Sequence, residues 1–97
     1  MKVAEYKELI LMHKFFEAHE VLEEFWFPRR KTKSKEVLIV KGFINAAVSF
    51  ELKKRGREQN SKKVWQVYLK FSQLIETSDI EFQELKKFIE NFAKCYL

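Results

Sequence analysis

The stretch VLIVKGFINAAVSF, Val37 to Phe50, has a single charge and presents apolar side chains on almost every side of a helix. A helix that is apolar all round has to be covered all round, so the other segments of this 97-residue chain must pack around it. Lys41 and Asn45 interrupt the run, and it is too short to cross a bilayer. It therefore reads as the central helix of a soluble bundle, with no membrane association expected. Gly and Pro together number only three, which argues against both a turn-rich all-β fold and a disordered chain. A chain of this size has room for one core, so the domain is taken as residues 1–97. The fold class is all-α, a compact bundle of about five helices.

Apolar residues at helical spacing place the elements. A first helix spans about Val3 to Met12, with Val3, Tyr6, Leu9 and Ile10 inward. His13-Lys14 forms a tight joint, and His13 suits a left-handed helix end better than most residues with a Cβ. A second helix runs from about Phe15 to Phe27, and Pro28 stops it. Thr32 or Ser34 caps the third helix, about Lys35 to Arg55, and Gly56 stands where a glycine stop belongs. A fourth helix, capped by Asn60 or Ser61, turns Val64, Trp65, Tyr68, Phe71 and Ile75 inward. The fifth opens at SDIE, with Ser78 and Glu81 at capping-box spacing, and buries Phe82, Leu85, Phe88, Ile89 and Phe92.

In the second helix, EAHEVLEEFW puts Ala18, Leu22, Phe25 and Trp26 on one face with Phe15. Glu17, Glu20 and Glu24 fall opposite, in solvent. His19 and Glu23, four apart on the shoulder between the two faces, are placed to meet. The third helix offers Gly42, Asn45 and Ser49 as a narrow stripe of small or polar side chains, with Lys41 beside it. A partly buried ammonium needs a carboxylate, so the expected polar network joins His19 and Glu23 to Lys41 or Asn45 across the second and third helices.

FFEAHEVLEEFW followed by VKGFINAAVSFELKKRGR resembles the small bacterial and archaeal family called domain of unknown function family three hundred and nine. The resemblance extends over roughly residues 9–75, and its signature falls on Glu17, Ala18, His19, Glu20, Glu23, Trp26 and Gly42. It implies an all-helical bundle of about five helices and brings no activity with it. Lys41 and Asn45 stand where that family usually has glutamines, His13 where it has a turn glycine, and Arg57 where an asparagine follows the glycine.

Three kinds of chemistry compete with a structural His–Glu network. A metal site would draw on His19, Glu20 and Glu23, but the chain has neither the paired histidines of a zincin helix nor paired Glu-x-x-His helices, and no cofactor is expected. Acid–base catalysis would use His19 oriented by Glu23, with Ser49 the one nearby hydroxyl. Nucleic-acid binding would use RRKTK with Lys35 and KKRGR with Lys62 and Lys63, yet these lie roughly 30 Å apart at opposite ends of one helix. Lysine outnumbers arginine fifteen to four, against the bidentate contacts that specific recognition favours. The net charge of +5 comes from the middle third alone: residues 29–63 hold twelve Lys or Arg against three Glu. One cysteine, Cys95, permits no internal disulfide and fits a reducing cytoplasm. The sequence therefore reads as a cytoplasmic binding or protein-interaction module, self-association included. A small hydrolase or metal-dependent enzyme centred on His19 and Glu23 is the alternative, and weak nucleic-acid binding through basic loops is the next.

Overall fold

The computed structural model describes all 97 residues, Met1–Leu97. Five α-helices follow in order: α1 (Val3–Leu11), α2 (Phe15–Trp26), α3 (Lys35–Lys54), α4 (Glu58–Ser72) and α5 (Ile80–Tyr96). Short 3-10 turns at Phe27–Arg29 and Gln73–Thr77 follow α2 and α4, and there is no strand. No helix is long and apolar enough to cross a membrane. The bundle measures 33 × 24 × 23 Å. Within it α3 is the most buried element, flanked by α2 and α4, with α1 packed on α2 and α5 across the remaining side.

Local chemistry explains the boundaries. The α1–α2 joint is a left-handed helix end with His13 at φ 57°. The His13 N–H reaches the Ile10 carbonyl at 3.0 Å and the Lys14 N–H reaches Leu9 at 2.9 Å, the paired bonds of a Schellman turn. Gly56, at φ 80°, repeats the pattern after α3, with Gly56 N–H on Lys53 at 3.0 Å and Arg57 N–H on Leu52 at 2.8 Å. Ser34 caps α3, its hydroxyl oxygen accepting from the Val37 N–H at 3.3 Å. Pro28 sits in the 3-10 turn that ends α2.

Two expected caps are corrected. Helix α4 begins at Glu58 with no side-chain cap, because the Gly56 turn reverses the chain at once and Asn60 and Ser61 already lie inside the first turn. Helix α5 is capped by Asp79, which accepts from the Phe82 N–H at 3.1 Å, while the Ser78 hydroxyl donates to the Ile75 carbonyl and closes the preceding turn. Ile75 is buried as expected but belongs to that turn, not to α4. Phe25 and Trp26 are only half-buried against the core, as are Leu9, Phe88 and Phe92.

The small-residue stripe of α3 also receives a different neighbour from the one expected. Gly42 faces α4: a Cβ built there would lie 3.0 Å from the Phe71 Cβ. About two turns along, the Ser49 hydroxyl donates to the Ser61 carbonyl at 2.8 Å and the Ser61 hydroxyl donates to the Ser49 carbonyl, also at 2.8 Å. This reciprocal clasp is fully buried. Two tyrosines tie the outer helices in: Tyr6 donates to the Phe43 carbonyl at 2.7 Å and Tyr68 to Glu90 at 2.9 Å. Every buried side-chain nitrogen and oxygen has a partner, as a well-formed interior requires.

Two outcomes are expected. Gly42→Ala gains up to about 1 kcal/mol of helix propensity but forces a methyl against a Cβ that can retreat only if α4 moves, an overpacking cost of about 1–3 kcal/mol. Urea denaturation should show a net loss of about 1 kcal/mol. Burial raises the phenols of Tyr6 and Tyr68 well above their ordinary range, with the Glu90 charge adding to the rise at Tyr68. A group whose folded value is raised stabilises fully below its unfolded value and loses that contribution as pH rises past it. The urea midpoint should therefore fall above about pH 10, and less steeply in the Tyr6→Phe/Tyr68→Phe double variant.

Candidate functional site

Helix α2 turns its apolar face to α3, which leaves His19 on the shoulder, its side chain 19% exposed. Its Nε2 lies 2.9 Å from a Glu23 carboxylate oxygen and its Nδ1 lies 3.1 Å from the Phe16 carbonyl. Both neighbours only accept, so a neutral ring with one N–H serves one of them, while an imidazolium serves both. The ring is also tilted beside the Phe16 ring at 5.4 Å. Glu23, 43% exposed, keeps access to water.

The side chains facing His19 from α3 are not those expected. An open cleft of ≈ 200 Å³ holds Phe15, Phe16 and His19 on one side and Val48, Glu51, Leu52 and Arg55 on the other. Arg55 Nε donates to Glu51 at 2.6 Å. Lys41 and Asn45 are elsewhere. The Lys41 ammonium lies over the Phe71 ring, 5.5 Å from its centre, and the Asn45 amide donates to the Lys41 carbonyl of its own helix at 2.8 Å. The reason is register. Helices α2 and α3 run antiparallel, so the start of α2 meets the end of α3. At 1.5 Å per residue Lys41 and Asn45 fall about 15 Å and 10 Å short of that level. The connection between α2 and α3 does not reveal this, because counting outward residue for residue from Trp26 and Lys35 pairs His19 with Gly42, next to Lys41, whereas the cleft pairs it with residues near Glu51.

The other readings meet specific geometry. Glu17, Glu20 and Glu24 are exposed on the far face of α2, so Glu20 does not join His19 and Glu23. No three His, Cys, Asp or Glu side chains come together in an arrangement suited to a metal ion. Ser49 is locked to Ser61 on the α4 side, and the cleft lining contains no hydroxyl or thiol. In the first basic cluster the arginines fold back onto the end of α2. Arg29 donates to the Phe25 carbonyl and lies 4.1 Å over that ring, and Arg30 does the same at Phe27, 3.8 Å over its ring. Lys35 donates to Thr77 at 2.6 Å. These contacts satisfy helix-end carbonyls with cations.

The model of a protein family described as Domain of unknown function (DUF309) matches residues 3–68, about two thirds of the chain. The chain belongs to this family. No curated protein and no solved structure matches it. The DUF309 match spans α1 to α3 and α4 as far as Tyr68, so it includes the whole His19 cleft and both left-handed turns. Helix α5, which supplies Phe82, Leu85 and Ile89 to the core, lies beyond it. Among the residues that carry the resemblance, Ala18 is buried, His19 and Glu23 bond each other, Trp26 packs on the core, and Gly42 admits α4. Glu17 and Glu20 remain in solvent.

Because Glu23 stays half in water, losing its partner strands no charge in the interior. His19→Ala should cost about 1 kcal/mol, mainly as lost packing, and Glu23→Gln less than about 0.5 kcal/mol. Urea midpoints of the two variants check this, and a loss of several kcal/mol on His19→Ala would show a far tighter network than the geometry implies.

Proposed function

We propose that this DUF309 domain is a cytoplasmic protein-interaction module that pairs with a second copy of itself through the α1–α2 turn and the adjoining cleft. The observation that carries the reading is Phe16, a large apolar side chain left 49% exposed at the edge of a cleft with apolar walls. Leu11 and Met12, 63% and 52% exposed, extend the same stretch of chain. The polar groups at the rim are paired locally, His19 with Glu23 and Glu51 with Arg55, so the cleft calls for a neutral apolar insert. A two-fold contact uses one patch on both copies, and this patch offers both a cleft and a side chain to fill it. His19 acts as a positioning residue, holding the Phe16 carbonyl and flanking its ring. The unpaired, exposed Cys95 is compatible with a reducing compartment.

Light scattering over a concentration series tests the reading. The mass should rise from 11.8 kDa toward twice that value, more readily at high salt, which screens the +5 charge of each copy. Phe16→Glu should remain monomeric with unchanged helix content. A wild-type chain that stays monomeric at about millimolar concentration, or a Phe16→Glu variant that still pairs, would overturn it.

A further inference from the structure

A second concavity lies away from the signature motif. It is a groove of ≈ 360 Å³ between α4 and α5, with Lys53 of α3 at its edge, within the size range of sites for drug-sized ligands. Its apolar lining is Trp65, Leu69, Ala93 and Leu97. Trp65 is held by stacking on Tyr68, ring centres 4.6 Å apart and planes 27° apart, and by Phe50 at 5.8 Å. It gives the groove a fixed aromatic wall.

The charges around the groove are unequal. Lys53 donates to Glu58 at 2.8 Å, and that hydrogen bond and charge hold the Glu58 carboxyl below its ordinary range. Glu90 accepts from Tyr68 at 2.9 Å and pairs with Lys86 at 3.2 Å. Both acidic groups of the lining are thus engaged: the Lys62 charge acts on Glu58 from a distance, but the ammonium groups of Lys62 and Lys94 form no direct ion pair and stand beside an apolar wall. We infer that the α4–α5 groove binds a small amphipathic anion, its apolar body against Trp65 and Leu69 and its single negative head between Lys62 and Lys94. Lysine presents a mobile point charge, which suits a carboxylate at the mouth of an open groove. The inference stands apart from self-pairing, since neither Phe16 nor His19 contributes to this groove.

Octanoate and octanol, titrated separately into the full chain and followed by amide and indole proton–nitrogen spectra, provide the test. Octanoate should saturate with shifts concentrated on Trp65, Leu69 and Ala93, and octanol should bind roughly fivefold more weakly or less. Lys62→Gln/Lys94→Gln should lower octanoate affinity about tenfold, as two modest charge contacts imply, and leave octanol binding unchanged. Phe16→Glu should leave both titrations unaltered, which separates this result from the pairing test. Absence of saturation by about 10 mM, a weak-binding limit, equal binding of acid and alcohol, or an octanoate affinity indifferent to the two lysines would each overturn the inference.

Discussion

The absence of a side chain at Gly42 fixes how closely α4 approaches α3, and much of the bundle follows from that approach. An all-round apolar helix has no face to leave in water, so each neighbour must come near enough to exclude it. At Gly42 the Phe71 Cβ occupies the space that a methyl would need. Further along, Ser49 and Ser61 exchange hydrogen bonds with each other's carbonyls, which lets two polar residues sit in full burial without an unsatisfied group. With α4 close in, Trp65 and Tyr68 stack on one another, and Tyr68 reaches Glu90 on α5. The same approach thus positions both the core and one wall of the α4–α5 groove.

The other helix pair is set by two left-handed turns that meet. The Lys54 ammonium, in the last turn of α3 before Gly56, donates to the His13 carbonyl at 2.9 Å. The two turns make the same backbone bonds, but one uses glycine and the other histidine. A non-glycine residue in this region carries strain of order 1 kcal/mol. At His13 the ring compensates with contacts a glycine cannot make, lying 5.2 Å from Phe15, 5.7 Å from Phe92 and 5.1 Å from Tyr96. These rings belong to α2 and α5, so the turn also anchors α5 at the end of the bundle where His19 lies.

Helical spacing made most of the fold legible, because burial follows period: Val3, Tyr6 and Ile10, Phe15, Ala18 and Leu22, and the whole of α3 fall where a 3.6-residue repeat puts them. His13 was readable for the same reason, since few side chains tolerate its backbone. What periodicity alone does not encode is which helix covers which stripe. The Gly42–Ser49 stripe suits α2 and α4 equally by period, yet α4 brings its own small residue, Ser61, and two surfaces that both have small side chains approach most closely. Axial register was the other loss: Lys41 and Asn45 have the right face but the wrong level, whereas Glu51 and Arg55 have both. The α4–α5 groove was invisible for a different reason, because its lining joins residues far apart in the chain, from Lys53 through Trp65 to Leu97, that only the tertiary fold assembles.

The His19–Glu23 pair cannot be accounted for by the stability of α2 alone. An exposed pair at this spacing contributes a few tenths of a kcal/mol, and the chain obtains as much from Glu51–Arg55 and Lys86–Glu90. What sets His19 apart is its second ring nitrogen, 3.1 Å from the Phe16 carbonyl, which brings three residues of one helix together. A lysine in its place would reach Glu23 equally well but would have no plane to set beside the Phe16 ring. A glutamine would have a plane but no aromatic ring to set beside Phe16. A planar ring beside Phe16, with a carboxylate four residues on, therefore bears on the surroundings of Phe16 at the mouth of the cleft as well as on the helix itself. That places the motif at the surface of the bundle, beside the cleft.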